Sequence, residues 1–231
     1  MKPKNIVSYL LLFVLTTSAT AQTAYTKRKE FRSDCNGKSS ELIGTEEYNS
    51  DQKLVHSTRG KKRNTDYTYD DKGNLTVKIH RDSTGKTLRF NKIYYNANNE
   101  YFIDTLFNAD SSANTVFKRR HSKKINEDII TWDILGQKGS TIIQTIKLDD
   151  QKNELENNIC TSSSECTVVK NTFSGKLKVK SESFRREEMN RKPILTETQT
   201  FEYDSSNRLV KTTVMNEVDK VCSFVLTYRY E

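Results

Sequence analysis

The histidines and the paired carboxylates are the side chains in this sequence that could support acid–base or metal chemistry. The histidines are His56, His80 and His121, and no two of them have the His-x-x-x-His spacing of a zinc site. The pairs Asp70-Asp71 and Asp149-Asp150 lie in turn sequences that lack the alternating acids of a calcium loop. The sequence contains no recognisable glycine-rich phosphate loop and no recognisable serine–histidine–aspartate cluster. These residues predict a protein that is not an enzyme and that needs no cofactor and no metal.

The first 21 residues are organised like a secretory signal. Lys2 and Lys4 precede an apolar run over 6–15, and Ala19-Thr20-Ala21 has the small-x-small pattern of a signal-peptidase site. The run is shorter than the roughly 20 residues of a membrane-spanning helix, and no later stretch could serve as one. We therefore predict cleavage after Ala21 and an exported mature chain, located in the periplasm, at the outer surface or in the medium.

The mature chain, 22–231, is long enough for one β domain. Its least regular stretch lies near 153–170, so the alternative is a domain in two halves divided by a loop there. Four cysteines fall in this part of the chain, and an even number in an exported protein predicts two disulfides. Cys160 and Cys166 flank a short polar segment that could close on itself, which would leave Cys35 and Cys222 to join the first and last strands.

A turn that begins with a tyrosine recurs four times along the chain. Its clearest copy runs from Tyr69 to Leu75 and reads Tyr-Asp-Asp-Lys-Gly-Asn-Leu. An aromatic residue, an Asp or Asn, a polar turn and an apolar residue are typical of one strand reversing into the next, and Gly73 allows a positive φ. Repetition at a few tens of residues indicates a modular β architecture. We assign structural roles in these turns to Tyr48, Tyr69, Asp70, Gly73, Leu75, Tyr95, Tyr203, Asp204 and Leu209.

Apolar and polar side chains alternate along much of the chain, which indicates β-strands. Leu177 and Val179, for example, alternate with lysines. Turn sequences every ten to twelve residues leave room for about 12 to 14 strands, and short connections predict antiparallel pairing. We expect an all-β antiparallel meander of hairpin repeats and favour an open twisted sheet, with a closed barrel or a sandwich as alternatives. A membrane barrel is disfavoured because charged residues occupy outward positions where lipid requires an apolar band.

The segment from Tyr69 to Leu75 closely resembles the YD repeat of Rhs-type bacterial shells, whose unit reads Tyr-Asp-x-x-Gly-Arg/Asn-Leu. The copy that starts at Tyr203 is similar but has Ser206-Asn207 where the family has glycine. The chain is also similar to the MORN-like "wing" repeats of secreted or antitoxin-type bacterial proteins, which are arrays of β-hairpins. The resemblance implies a hairpin fold and carries no catalytic residue. An Rhs shell is far longer, so encapsulation of a toxin is excluded.

The charge of the chain bears on its partners. The formal net charge is +8, with basic clusters at Lys61-Lys62-Arg63, Lys118-Arg119-Arg120 and Arg185-Arg186. One interpretation is that these clusters simply lie in solvated turns and on solvated strand faces. The functional interpretation is that they attract an anionic glycan or a lipid head group. An exported protein meets no cytosolic nucleic acid, so we expect a protein partner, with an anionic glycan as the other candidate.

The sequence thus favours a non-catalytic binding or interaction module that uses a sheet face or an exposed edge strand. The alternatives are a small β-barrel ligand carrier or enzyme, and an immunity-type neutraliser of a toxin, which only the wing-repeat resemblance suggests. The ligand and the oligomeric state are not encoded in any recognisable pattern.

Overall fold

The computed structural model describes residues 25–60, 63–122, 126–135, 141–161, 165–186 and 192–231. The predicted signal sequence and its cleavage site after Ala21 lie outside these residues. Within the described ranges, no helix is long and apolar enough to cross a membrane. Sixteen β-strands are formed: β1 Lys27–Ser33, β2 Ser40–Tyr48, β3 Leu54–Arg59, β4 Arg63–Tyr69, β5 Leu75–Arg81, β6 Thr87–Tyr95, β7 Tyr101–Asn108, β8 Ala113–Ser122, β9 Glu127–Ile134, β10 Thr141–Leu148, β11 Glu154–Cys160, β12 Cys166–Ser174, β13 Leu177–Arg186, β14 Ile194–Tyr203, β15 Leu209–Asn216 and β16 Val221–Tyr230.

The sheet closes into a barrel. Each strand pairs antiparallel with the next, and β1 also pairs with β16, with Arg28 opposite Tyr230 and Ser33 opposite Val225. The predicted all-β antiparallel meander is therefore confirmed. The open sheet that the sequence favoured is wrong, and more strands form than were expected.

Bulges explain the closure. Most strand pairs contain one, such as the bulge between Thr68 and Tyr69 in the β4–β5 pair. A bulge bends its strand and increases the local twist, and repetition from hairpin to hairpin curls the sheet until its two edges meet. The closing strand β1 reads Lys-Arg-Lys-Glu-Phe-Arg-Ser and has no apolar alternation. The sequence consequently gives no local sign that this strand completes a barrel.

The stretch near 153–170, where the sequence left a dividing loop as an alternative, includes strand residues. It contains β11 and the first part of β12, which pair with Cys160 opposite Cys166. The sequence of β11 lacks the alternation of apolar and polar residues that indicates a strand, because the inward side of β11 is polar as well. Asn157, for example, is buried and receives a hydrogen bond from Gln144 Nε2 at 3.1 Å.

The tyrosine-led turns all lie at one end of the barrel, called here the tyrosine end, because each connects an even-numbered strand to the next odd-numbered one. In the clearest copy, Asp70 Oδ1 accepts hydrogen bonds from the backbone N–H of Lys72 at 3.0 Å and of Asn74 at 2.8 Å. Gly73 has a φ of 83°. Gln52, Asn99 and Asn207 hold the equivalent position in the other copies, also with positive φ. The side-chain acceptor, rather than glycine, is the constant feature of the turn.

The barrel interior is polar. Alternate residues of each strand point inward, and many of the buried ones carry hydrogen-bonding groups. Trp132 Nε1 donates to Gln144 Oε1 at 3.2 Å, one link of the chain of hydrogen bonds that continues to Asn157. The outward face carries cross-strand ion pairs such as Lys118 with Asp133 and Lys211 with Glu202. Hydrogen bonds inside the wall thus replace much of an apolar core.

Candidate functional site

A polar network crosses the inner wall from β4 to β7. Thr65 Oγ1 lies 3.1 Å from His80 Nδ1, and His80 Nε2 lies 3.3 Å from Asn91 Oδ1. Asn91 Nδ2 in turn donates to Asp104 Oδ1 at 2.8 Å. Because an amide oxygen can only accept, His80 carries its proton on Nε2, and its Nδ1 accepts from the Thr65 hydroxyl. The register places these strands so that the four side chains share one face.

A buried lysine lies beside this network. Lys78 is directly opposite Asn91, and it interacts electrostatically with Asp104. Burial lowers the pKa of Lys78 and raises the pKa of Asp104, while the attraction between the two charges opposes both shifts. Desolvation therefore dominates at this depth of the barrel.

Three arginines lie above the network, at the end opposite to the tyrosine end. Arg59 and Arg63 are directly opposite each other on β3 and β4, and Arg89 on β6 is directly opposite His80. All three side chains are exposed, although they occupy inward-facing positions. Water therefore reaches this mouth of the barrel. We call Arg59, Arg63 and Arg89 the arginine cluster.

The charges of the arginine cluster affect the pKa values of Arg89 and of His80. Although Arg89 is exposed, partial desolvation by the surrounding wall lowers its pKa, and the neighbouring Arg63 charge lowers that pKa further. Burial also lowers the pKa of His80 to about 4, with further contributions from Arg89, Lys78 and Arg63. His80 is therefore neutral near pH 7, and the arginines carry positive charge at the site.

Two of the described acids, Glu30 and Asp82, lie at this end of the barrel. Glu30 Oε2 lies 3.2 Å from the place where a Cβ on Gly44 would stand, so the missing side chain at Gly44 makes room for this carboxylate. Burial raises the pKa of Glu30, and the Arg59 charge opposes that rise. Asp82 accepts the backbone N–H groups of its own turn, at 2.8 Å from Thr84.

Two other inward arginines form ion pairs with carboxylates. Arg28 forms an ion pair with Glu46 at 2.7 Å, and both side chains are largely buried. Arg119 forms an ion pair with Asp128, which is almost fully buried. The arginine cluster differs from these pairs because three exposed arginines from β3, β4 and β6 lie at one end of the barrel.

The residues that the sequence singled out lie at the other end of the barrel. Tyr69 donates its hydroxyl to the carbonyl of Leu54 at 2.9 Å, and Tyr95 does the same to Leu75 at 3.1 Å. Tyr203 donates to the carbonyl of Lys178 at 2.9 Å, whereas the Tyr48 hydroxyl bonds to Glu46. Asp204 Oδ1 accepts from the N–H of Arg208 at 2.9 Å. Leu209, the last residue of that copy, is buried.

The sequence did not identify the arginine cluster. Arg63 was visible as part of a basic run, but Arg59 and Arg89 stand alone in their strands. Only the register of β3 to β6 brings the three together. The useful signal is that Arg59 ends β3, Arg63 begins β4 and Arg89 lies near the start of β6, at positions that face inward at the same end.

Both expected disulfides are present. Cys160 bonds to Cys166 and Cys35 bonds to Cys222, with Cα–Cα distances of 4.1 Å and 6.0 Å. The second bond ties the β1–β2 connection to the start of β16, beside the pair that closes the barrel. Among the described residues, no three His, Cys, Asp or Glu side chains gather as metal ligands would.

The pairing of the described strands defines the chain as a closed β-barrel of sixteen strands with a polar interior. No family model and no curated protein matches it. A porin-like protein from Bacteroides uniformis is similar at 14% identity, with 91% of this chain and 98% of that chain covered and a TM-score of 0.48. A porin-like protein from Bacteroides vulgatus has 10% identity, 88% and 97% coverage and a TM-score of 0.47.

A third similar structure is the Photorhabdus luminescens Tc holotoxin pore. Its identity is 10% and its TM-score is 0.37, and the match covers 90% of this chain but 11% of that chain. None of these matches assigns a family or an activity to this chain. The likeness to YD and wing repeats therefore stays a resemblance of the turns.

Proposed function

We propose that this chain is an exported, non-catalytic binding protein that takes an anionic ligand at the arginine cluster. The observation that carries the proposal is the convergence of Arg59, Arg63 and Arg89 at one water-accessible mouth. Like charges repel: desolvation is the main cause of the lowered pKa of Arg89, and repulsion from Arg63 lowers that pKa further. A bound anion would relieve that repulsion.

The chemistry of the side chains indicates the class of ligand. A guanidinium group presents a planar fork of N–H donors that matches the oxygens of sulfate, phosphate and carboxylate groups. Three such groups, on β3, β4 and β6, suit a ligand that carries more than one anionic group. For an exported protein, we propose that these sulfate, phosphate or carboxylate groups belong to an anionic glycan.

Closure of the barrel removes one of the binding modes that the sequence suggested. A closed sheet has no free edge strand, so a partner cannot add a strand to it. The outward face is lined in several places by ion pairs, such as Lys147 with Glu156 at 3.2 Å. These features support a ligand at the mouth rather than at a sheet edge.

Calorimetric titration of the mature, disulfide-bonded protein with a sulfated disaccharide and with its unsulfated parent tests the proposal. We expect the sulfated sugar alone to bind, with an affinity that falls as salt is added. The double variant Arg63→Gln, Arg89→Gln should weaken binding by about tenfold or more, since each charge-assisted hydrogen bond contributes about 1.5–3 kcal/mol.

The matched control is the double variant Lys38→Gln, Lys176→Gln. It removes the same net charge from two exposed positions outside the cluster, and it should bind like the parent protein. Equal binding of the sulfated and unsulfated sugars would contradict the proposal. So would an equal loss of affinity in the two double variants, since net charge alone would then explain it.

A further inference from the structure

A groove lies on the outward face of the wall, over β10 to β13. Its volume is about 450 Å³, within the range of small-molecule sites. Val168 and Phe184 are directly opposite each other in the β12–β13 pair and form part of its lining. Pro193, just before β14, borders the same space. The groove and the arginine cluster lie on opposite faces of the wall and on different strands.

The floor of the groove is apolar. Val168 is only 3% exposed, which is unusual for a residue on the outward face. The Phe184 ring lies beneath Lys170, whose Nζ is 5.6 Å from the ring centroid. A flat or aliphatic group could therefore pack on Val168, Phe184 and Pro193 and exclude water from them.

The rim of the groove is basic. It holds four cationic side chains and one carboxylate, Glu156. Glu156 accepts from Lys147 at 3.2 Å and lies 3.8 Å from Lys170. Burial raises the pKa of Glu156, but hydrogen bonds from Asn158 and Lys147 lower it more, so the carboxylate stays charged and holds these two lysines.

Two cations remain on the rim for a ligand. Arg186 Nε is buried and has no hydrogen-bond partner among the described residues. Lys192 is exposed at the border of the groove. Positive charge thus stands next to an apolar floor, with the nearby carboxylate already engaged.

We propose that this groove binds a small amphiphilic anion. Its apolar body would pack on Val168, Phe184 and Pro193, and its sulfonate, carboxylate or phosphate group would face Arg186 and Lys192. The site is independent of the arginine cluster, which lacks an apolar floor of this kind and faces the barrel interior.

Fluorescence titration of the mature, disulfide-bonded protein with anilinonaphthalene sulfonate tests this proposal. The probe has an aromatic body and one sulfonate, and its emission rises in an apolar environment. Lys192→Glu should weaken its binding by about tenfold, because an attractive contact becomes a repulsive one. Lys38→Glu makes the same charge reversal at an exposed position outside the groove and should leave the affinity unchanged.

Two further measurements keep the outcome decisive. The arginine-cluster variant Arg63→Gln, Arg89→Gln should bind the probe like the parent protein, and a loss there would place the probe at the mouth and overturn the proposal. Far-ultraviolet circular dichroism shows whether Lys192→Glu retains the fold. A folded Lys192→Glu variant that binds as tightly as the parent would also overturn it, as would equal affinity for the probe without its sulfonate.

Discussion

At the scale of single residues, the barrel interior controls protonation through burial and through neighbouring charge. His80 is the clearest example, because burial and three nearby cations all act to keep its ring neutral. Its two ring nitrogens are nevertheless both satisfied, by Thr65 and by Asn91. A neutral histidine in a polar network is therefore compatible with an interior that contains several cations.

This state of His80 predicts a loss of stability in mild acid. Its pKa is lowered from 6.5 to about 4 in the folded protein, so the unfolded chain binds the proton more readily between these values. The stabilisation is present above pH 6.5 and is lost as pH falls toward 4. We expect a loss on the order of 2 kcal/mol, discounted because the ring keeps some contact with water. Urea denaturation at pH 7 and pH 5 measures it.

The variant His80→Gln isolates this contribution. It should lose less stability than the parent protein between pH 7 and pH 5, because glutamine does not titrate. Buried carboxylates with raised pKa contribute with the opposite sign, but they are common to both proteins; they are Glu30, Asp104 and Glu154. An identical pH dependence in the two proteins would show that His80 does not carry the effect.

At the scale of elements, tyrosine hydroxyls join one hairpin to the next. Tyr69 donates to Leu54, which ends the preceding copy of the turn, and Tyr95 donates to Leu75, which ends the copy before it. Tyr230 donates to Leu209 in the same way, at 2.7 Å. The spacing between the tyrosine and the leucine of each copy therefore allows one copy of the turn to contact the next. The side chain of one turn covers a backbone carbonyl of its neighbour.

Removal of one such hydroxyl measures the link. Tyr69→Phe should lower the free energy of unfolding by about 1 kcal/mol, because the Leu54 carbonyl loses its partner in a partly buried place. Tyr94→Phe is the matched control, since Tyr94 is 46% exposed on the outward face. Denaturation midpoints of the two variants should differ clearly. Equal midpoints would mean that the tyrosine of the repeated turn acts through aromatic packing alone.

At the scale of the whole molecule, stability depends on a seam between the first and last strands. Cys35 and Cys222 are 187 residues apart and cross-link the chain next to this seam. Cys160 and Cys166 are 6 residues apart and close only the β11–β12 hairpin. The two bonds have the same chemistry but constrain the unfolded chain very differently.

The difference between the two disulfides can be measured directly. In the chain-entropy model, removal of the long-range bond by Cys35→Ser, Cys222→Ser costs about 5 kcal/mol, and removal of the short one by Cys160→Ser, Cys166→Ser costs about 2 kcal/mol. Guanidinium denaturation under non-oxidising, non-reducing conditions compares them. If the variant without the Cys160–Cys166 bond were the less stable of the two, the chain-entropy account would be wrong. The cross-link beside the seam would then not be the more stabilising bond.

The sequence predicted the elements better than their assembly. Alternation and the turn from Tyr69 to Leu75 sufficed for an antiparallel meander, because strands and tight turns are encoded locally. Closure was missed because it depends on curvature summed over many bulges. The arginine cluster was missed for a related reason: Arg59 and Arg89 meet only through the register of four strands.

The seam between β1 and β16 determines where the barrel can be attached to a surface or to another chain. Thr26 N donates to Glu231 O at 2.8 Å, so the described chain enters and leaves the barrel at one point of the tyrosine end. A tether attached at either point would anchor the barrel by that end and present the arginine mouth to the surroundings. A linker across the same point would yield a circular polypeptide, in which any turn could supply new termini while every strand kept its two neighbours.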